Sequence, residues 1–353
     1  MMTAVTTEEK SVMAGLTIGA GYVKALMQLA VDKGASEALL TQRSGIASEA
    51  LLDRDSRIPL DRYQALMVAS KALCNAPALG VQLGEAAVFS QISIVGLICS
   101  CAATTAEAFA QINRYGRLVV EVNGHRPGGR FEVVPGDGEV WLLDTRQDPN
   151  SFPELTESAF AIMINLAREF SDKPFAKKVL FTHADPGDRA EYERILGAPV
   201  VFGCDRNAFL MEESLMNLQL SPSDRYVFGV FSERADAMLE RLKSASTIRG
   251  RVESELIPIL HTGVLDMARI AESLGLGRQT LYRKLKAEGT NYEKLVDELR
   301  HKMAMHYLSA KKVSLNETAY LTGYSDSTAF SRAYKRWTGT RPGGGAEQRG
   351  QTP

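Results

Sequence analysis

The sequence predicts an α+β N-terminal domain, made of helices and a small sheet, followed by an all-α C-terminal domain. Apolar residues recur at helical spacing over residues 21–87, whereas a period of two prevails between residues 118 and 145. From residue 264 onward the apolar patterns are helical only. A chain of 353 residues is long enough for two domains. We expect them at residues 1–245 and 246–353, connected near residues 245–252.

The elements of the N-terminal domain follow from these changes in period. After the helical region, clusters of glycine and proline separate segments of alternating polarity, which is the pattern of strands and turns. The predicted strands are residues 118–122, 130–134, 139–143, 178–181 and 200–202. Helices are predicted at residues 154–170 and again within residues 229–260.

The composition is that of an ordinary soluble globular protein, with 45% hydrophobic and 24% charged residues. The most apolar stretch, residues 92–103, is shorter than the ~20 residues that a membrane-spanning helix needs. We therefore expect a buried segment there and no membrane partner. The first ten residues contain Glu8 and Glu9 and no apolar run, unlike a secretion signal, so we expect a cytoplasmic protein.

The net charge of −1 conceals an asymmetry between the two predicted domains. Residues 261–353 hold 15 Lys and Arg against 9 Asp and Glu, a net of +6. The rest of the chain holds 26 against 33, a net of −7. A basic module attached to an acidic body is typical of proteins in which one part approaches phosphates, although the asymmetry alone is not specific.

Residues 265–286 have the pattern of two packed helices. Ala271 supplies the small side chain needed at a close helix crossing, and Gly275 can adopt the positive φ of the turn. Leu281 and Leu285, four residues apart, point inward from the second helix. The outward face then carries Arg278, Gln279, Tyr282 and Arg283. Arg and Gln make bidentate contacts with guanine and adenine, so the pattern favours a DNA-reading helix over a plain helical hairpin.

The same pattern occurs a second time. Ala319 and Gly323 occupy the positions of Ala271 and Gly275, and Phe330 begins the inward pair that Tyr334 completes. Phe330 lies one residue further from its glycine than Leu281 does, which predicts a slightly longer turn. The outward face carries Ser327, Thr328, Ser331 and Arg332, with Lys335 and Arg336 nearby for phosphates. Two such units predict a pair of helix-turn-helix units.

A long helix is predicted between the two units, at residues 291–309. Nineteen residues at 1.5 Å rise give roughly 28 Å. Successive major-groove faces on one side of B-DNA are ~34 Å apart. One chain could therefore reach two adjacent major grooves.

Residues 265–342 resemble the AraC/XylS-type transcription regulators. The resemblance is carried by residues 270–275 (IAESLG), 281–286 (LYRKLK) and above all 323–342 (GYSDSTAFSRAYKRWTGTRP). It implies sequence-specific binding to double-stranded DNA through the outward residues of both recognition helices, with RNA polymerase as a candidate partner. The sequence departs from the family at Thr318, Tyr324 and Tyr334. Gly277 replaces the usual helix-capping serine, which predicts a looser first recognition helix.

The N-terminal domain resembles the arabinose-binding type of domain found in a subset of these regulators. The matching stretches are residues 79–84 (LGVQLG), Gly96 with the helix after it, and residues 192–209. The resemblance implies a small-molecule effector and a homodimer, although the name does not imply arabinose. Tyr115, Trp141 and Arg146 lie near predicted strands, but core packing explains them equally well, so the ligand-binding residues stay unassigned.

Other chemistry finds little support in the sequence. His183 and Asp185 could form a metal pair, but no third ligand is apparent. The cysteines have neither metal-site nor disulfide spacing, and no catalytic constellation is recognisable. We therefore expect no metal, no cofactor and no enzyme. The alternative is an N-terminal enzyme or ligand-binding protein whose C-terminal module mediates interactions without DNA specificity.

Overall fold

The computed structural model describes residues 15–123, 129–136, 138–168, 170, 174–220, 225–309 and 313–342. The chain divides into two compact units, Met1–Leu239 and Glu240–Pro353. This division lies inside the helix Arg225–Ser246, slightly before the predicted boundary at residues 245/246. In the described ranges no helix combines the length and the apolar character needed to cross a membrane.

The N-terminal unit is mainly helical, as predicted for residues 21–87. Its helices are α1 (Ala20–Asp32), α2 (Glu37–Ser44), α3 (Leu60–Cys74), α4 (Leu79–Ala86), α5 (Phe89–Ile92), α6 (Ile94–Ser100), α7 (Thr105–Val119), α8 (Glu154–Arg168) and α9 (Arg189–Leu196), and α10 (Arg225–Ser246) starts within it. The apolar stretch at residues 92–103 is a largely buried part of this unit, with Val95, Ile98 and Cys99 inaccessible to solvent.

Two sheets complete the N-terminal unit. β1 (Thr17–Gly19) pairs antiparallel with β2 (Arg57–Pro59). The larger sheet has the order β3 (Phe131–Gly136), β4 (Glu139–Asp144), β7 (Asn207–Glu212), β5 (Lys178–Leu180) and β6 (Val200–Val201). Its neighbours are antiparallel except β5 and β6, which are parallel. Four of the five predicted strands are confirmed.

The predicted strand at residues 118–122 is wrong. Helix α7 continues to Val119, and beyond it Val120 forms only an isolated bridge to Ile18. The helix is favoured because Ala108, Ile112 and Tyr115 bury one face at helical spacing. Burial of that face outweighs the local strand preference of the valine-rich end.

The core of the N-terminal unit is packed closely where α4 crosses α8. A Cβ atom on Gly84 would lie 2.4 Å from the Cβ of Ala161, so only glycine permits this approach. Gly80 leaves the space that the Glu157 carboxyl group occupies. The hydroxyl of Tyr192 donates to that carboxyl group at 2.8 Å, and burial raises the pKa of Glu157 to about 8.

The described part of the C-terminal unit contains helices and no strand, as predicted. After α10 come α11 (Ile248–Leu256), a 3₁₀ helix (Ile257–Thr262), α12 (Met267–Ser273), α13 (Arg278–Ala287), α14 (Tyr292–Ser309), α15 (Leu315–Leu321) and α16 (Ser327–Thr338). The helices α12 and α13 form the first predicted unit, and α15 and α16 form the second. The predicted long helix between them is α14.

The turns of both units have the predicted geometry. Gly275 has φ +68° and Gly323 has φ +77°, a conformation that favours glycine. Residues 274–277 connect α12 to α13, whereas residues 322–326 connect α15 to α16. The second turn is therefore one residue longer, as the spacing predicts.

Helix α14 contributes to the cores of both units. Leu295 and Leu299 belong to the larger apolar cluster, which also contains Leu281 and Leu285 of α13. Further along α14, Ala304 packs in a smaller cluster with Ala319 and Phe330. The long helix is thus the shared support of the two helix-turn-helix units.

Candidate nucleic-acid interface

The first recognition helix, α13, is buried along one side and exposed along the other. Leu281 and Leu285 are completely inaccessible to solvent. The side chains of the opposite face, Arg278, Gln279, Tyr282 and Arg283, are all exposed, and Tyr282 is 51% exposed. Because half of the Tyr282 side chain is exposed, packing within the protein does not explain its position. The donors and acceptors of this face are therefore accessible to a ligand.

Helix α13 begins without a side-chain cap. Gly277 stands at the N-cap position with an extended backbone, and it has no side chain that could accept a hydrogen bond. By contrast, α12 is capped by Asp266, whose side chain accepts a hydrogen bond from the Ala268 backbone at 2.9 Å. Among the described residues, the departure at Gly277 therefore leaves the first backbone N–H groups of α13 without a capping side chain as acceptor.

The second recognition helix, α16, has the same two-sided character. Phe330 is inaccessible to solvent and Ala333 is almost so. Of the predicted contact residues, Thr328, Arg332 and Lys335 are exposed, and Ser327 and Ser331 are partly buried. The second unit thus offers hydroxyl groups and two cationic side chains on its accessible face.

Helix α16, unlike α13, is capped. The Asp326 carboxylate accepts a hydrogen bond from the Ala329 backbone at 2.7 Å. This hydrogen bond to the charged form holds the pKa of Asp326 below its usual value. Helix α15 begins with a capping box, in which Ser314 and Glu317 exchange hydrogen bonds.

The cationic side chains of the two exposed faces have no carboxylate partner within the described ranges. Arg278 and Arg283 of α13 form no salt bridge there, and neither do Arg332 and Lys335 of α16. Among the described residues no carboxylate lies within salt-bridge distance of these four groups, although Arg332 interacts electrostatically with the nearby Asp326 carboxylate. Such groups are free to neutralise phosphates and to displace the counterions around DNA.

Arg336 behaves differently from its neighbour Lys335. Its guanidinium group forms a salt bridge with Asp297 of α14. The indole Nε1 of Trp337 donates to the other carboxylate oxygen of Asp297 at 2.9 Å. The sequence analysis placed Arg336 near the phosphates. It did not predict the pairing with Asp297, because the partners are about forty residues apart in the chain.

The separation of the two units is set by α14, which has 18 residues. At 1.5 Å rise its length is roughly 27 Å. Tyr292 at its start donates to the Leu265 backbone at 3.3 Å, and Arg300 further along donates to the Gly323 backbone at 3.3 Å. One helix therefore contacts the loop before the first unit and the turn inside the second.

Tyr115, Trp141 and Arg146, which the sequence could not assign to a ligand site or to the core, all contact other residues of the N-terminal unit. Arg146 is buried and donates to the backbone oxygens of Pro149 and Phe152, each at 3.0 Å. The Tyr115 hydroxyl donates to Asp236 of α10 at 2.9 Å. Trp141 lies against the guanidinium group of Arg206, 5.1 Å from the ring centre. Each of the three side chains therefore has a partner within the protein, although the buried Nε of Arg146 has no hydrogen-bond partner among the described residues.

The histidine and cysteine residues form no metal site in the described part of the chain. Asp185 accepts a hydrogen bond from the Gly187 backbone and forms a salt bridge with Arg189, so its carboxylate serves a turn. No group of three or more potential ligands comes together among the described residues. The four cysteines are free thiols.

Both units of the chain match known protein families. Residues 34–220, more than half of the chain, match the arabinose-binding domain of AraC transcription regulators, and residues 270–346 match a helix-turn-helix domain. The chain is 24% identical over 324 residues to the ornithine utilization regulator of Pseudomonas aeruginosa, covering 91% of this chain and 94% of that protein. It is 26% identical over 299 residues to the transcriptional regulator VirS of Mycobacterium tuberculosis, covering 82% and 84%.

A solved structure also matches along most of its length. The transcriptional regulator CdpR from Pseudomonas aeruginosa is 23% identical, with a TM-score of 0.40, and the match covers 86% of this chain and 96% of that one. The two matched domains occur here in the order N-terminal arabinose-binding type, then helix-turn-helix. The chain belongs to the AraC family of DNA-binding transcription regulators, among the members that carry an arabinose-binding-type N-terminal domain.

Proposed function

We propose that each chain reads two successive major-groove segments on one side of a DNA duplex, one with α13 and one with α16. The observation that carries this proposal is a pair of exposed polar faces, one opposite the buried Leu281 and Leu285 and the other opposite the buried Phe330 and Ala333, both attached to one continuous helix. The contact residues are Arg278, Gln279, Tyr282, Arg283, Ser327, Thr328, Ser331, Arg332 and Lys335.

The side chains divide by chemistry into base-reading and phosphate-binding groups. Arg283 and Arg332 are exposed guanidinium groups that suit the paired acceptors of guanine. Lys335 is an exposed point charge that suits a phosphate. Removal of a base-reading group costs specificity at one base pair, whereas removal of a phosphate-binding group weakens all sequences alike.

The test uses duplexes that the full-length protein itself selects from a random-sequence library. Arg283→Ala and Arg332→Ala should each lower affinity for the selected duplex by ~1–3 kcal/mol and relax the preference at one base pair. Arg269→Ala is the matched control, because Arg269 is an exposed arginine of α12 outside the proposed contact set. Equal affinities for all three variants would remove the assignment of these side chains.

Lys335→Ala separates phosphate contact from base reading. It should weaken selected and random duplexes by the same factor and reduce the slope of log K against log salt by about 1. A protein that selects no sequence, and whose slope Lys335→Ala leaves unchanged, would instead fit a C-terminal module that mediates interactions without DNA specificity.

We propose that the protein as a whole is a regulator and not an enzyme. Residues 1–245 would bind a small-molecule effector and mediate homodimerisation, and residues 246–353 would bind DNA in the cytoplasm and contact RNA polymerase. The match to the arabinose-binding-type domain over residues 34–220 supports this division. A thermal-shift screen of the full-length protein with amino acids, fatty acids and aromatic acids tests it, because a ligand of the folded state raises stability. Sedimentation of the same samples tests the dimer.

A further inference from the structure

We infer that Asp297 is a positioning residue that holds the second recognition helix at a fixed angle on α14, and so sets the spacing of the two DNA segments. This inference rests on the proposed reading of two segments by one chain. It concerns the Asp297 cluster, by which we mean Asp297, Arg336 and Trp337. None of the three belongs to the proposed DNA contact set.

The apolar support of the second unit is small. Among the described residues its cluster has three buried side chains with five partly buried ones packed against them, whereas the cluster of the first unit has eleven buried and seven partly buried. In the second unit, Tyr334 and Trp337 of α16 are only partly buried. Apolar packing is non-directional and determines an angle poorly when few side chains interlock. Directional contacts therefore add to what this small aromatic cluster determines about the angle of α16.

The Asp297 cluster supplies those directional contacts. One carboxylate oxygen of Asp297 accepts from Arg336 and the other accepts from the Trp337 indole at 2.9 Å. Both donors lie in the last turns of α16, far from its capped start. His301, one turn after Asp297, stacks on the Trp337 ring with centroids 5.1 Å apart and planes at 27°. The C-terminal end of α16 is thus fixed in both distance and rotation.

A second contact fixes the other end of the unit. Arg300 donates to the Gly323 backbone in the turn before α16 and lies 4.9 Å from the centre of the Tyr324 ring. Residues 297, 300 and 301 of α14 therefore hold the second unit at two separated points. Two separated points of contact define an orientation, which a single point does not.

The contribution to folding stability is expected to be small, since the Arg336 and Asp297 side chains are 62% and 40% exposed. We expect the Asp297 cluster to contribute more to DNA binding than to folding stability. Once α13 is bound, the second binding event is intramolecular, and its effective concentration depends on how well α16 is held at the required position. Loosening the angle lowers that concentration and broadens the spacings that the protein tolerates.

The experiment measures spacing preference with full-length protein. The first probe is the selected duplex, which contains the segment read by α13 (the first segment) and the segment read by α16. The second probe has one base pair added or removed between these two segments. The third probe keeps only the first segment. Asp297→Ala should weaken binding to the selected duplex about fivefold and reduce the penalty for altered spacing. Binding to the first segment alone should change no more than in a control variant that loses the same charge.

Glu293→Ala is the matched control, because Glu293 is an exposed carboxylate one turn earlier on the same helix. Both variants remove one negative charge, so any general gain in DNA affinity is shared. The inference is overturned if Asp297→Ala keeps the spacing penalty of the Glu293→Ala control, or if it weakens the single segment as much as the selected duplex.

A measurement without DNA separates this inference from the proposed function. The chain has two tryptophans, so Trp141→Phe leaves Trp337 as the only indole. In that background Asp297→Ala should increase iodide quenching of Trp337 fluorescence, and Asp297→Asn should increase it less because the amide oxygen can still accept from the indole. Unchanged quenching in Asp297→Ala overturns the positioning role, whether or not the protein selects a DNA sequence. Failure to select any sequence, with increased quenching, contradicts only the proposed function.

Discussion

Counting the residues that the structure describes, the first helix-turn-helix unit packs on eleven buried residues that extend from α11 to α14, whereas the second packs on three. The second unit compensates with polar contacts: a capping box at α15, the Asp326 cap at α16 and the Asp297 salt bridge. The first recognition helix lacks a side-chain cap altogether. Two units with the same exposed pattern therefore differ in the size of their apolar cluster and in whether the recognition helix is capped.

The difference indicates which property each unit retains under substitution. A large apolar cluster is tolerant of the loss of any one polar contact, because the buried area dominates its stability. When a substitution removes a directional contact from the unit with the small cluster, we expect the recognition helix to lose its fixed orientation before it unfolds.

The largest expected effect follows from removing the central ring of the small cluster. Phe330→Ala should destabilise the second unit by ~3–5 kcal/mol, because Phe330 is fully buried within the smaller cluster and its loss leaves a cavity there. Amide hydrogen exchange should then show α15 and α16 unprotected while α13 stays protected. Leu281→Ala is the counterpart in the first unit. Equal loss of protection in both units would mean that they unfold as one.

The two turn glycines should differ in a matched substitution. A Cβ atom on Gly275 would meet nothing within 4 Å, so Gly275→Ala should cost only the ~1–2 kcal/mol of the left-handed conformation. A Cβ atom on Gly323 would lie 2.2 Å from the Leu260 carbonyl oxygen, so Gly323→Ala adds an overpacking cost of ~1–3 kcal/mol. Chemical denaturation measures both. Equal losses would contradict the close approach at Gly323.

Acid should affect the two recognition helices unequally. The pKa of Asp326 is lowered in the folded state, so its cap stabilises α16 above the usual carboxylate pKa of 3.8 and is lost as the pH falls through the lower folded value. Asp326→Asn keeps a capping group that does not titrate. Helical circular dichroism from pH 5 to pH 2 should therefore fall less in the variant than in the original protein. Identical titrations would show that the cap does not contribute.

The smallest expected effect is a gain in stability. Gly277 has φ −73°, and a Cβ atom there would meet nothing within 4 Å, so a side chain fits without strain. Gly277→Ser would supply the missing cap of α13 and raise stability by a few tenths of a kcal/mol. Thermal unfolding detects such a change when averaged over replicates. A decrease would mean that the serine hydroxyl does not reach the backbone of α13.

Local patterns in the sequence predict most of the C-terminal unit. The pairs Leu281 with Leu285 and Phe330 with Tyr334 indicate the buried faces, and the two glycines indicate the turns, because each of these signals lies within a few residues of the element it defines. The contacts of Asp297 leave no such local signal. Its partners lie about forty residues further along the chain, and only the folded helices bring them together.

The N-terminal sheet shows the same limit. Strand β7 at Asn207–Glu212 lies at the centre of the sheet, yet its sequence lacks the β-branched alternation that predicts a strand. Its conformation is stabilised by hydrogen bonding with β4 on one side and β5 on the other. Helix α9 at Arg189–Leu196 was not predicted either, since it is only two turns long.

The longer turn of the second unit has a consequence for protein engineering. A designer who wishes to exchange DNA specificity between the two units would naturally align them on Gly275 and Gly323. That alignment displaces every transplanted side chain by one position, which on a helix is a rotation of about 100°. Grafts should instead be aligned on Leu281 and Phe330, the residues that point into the two cores.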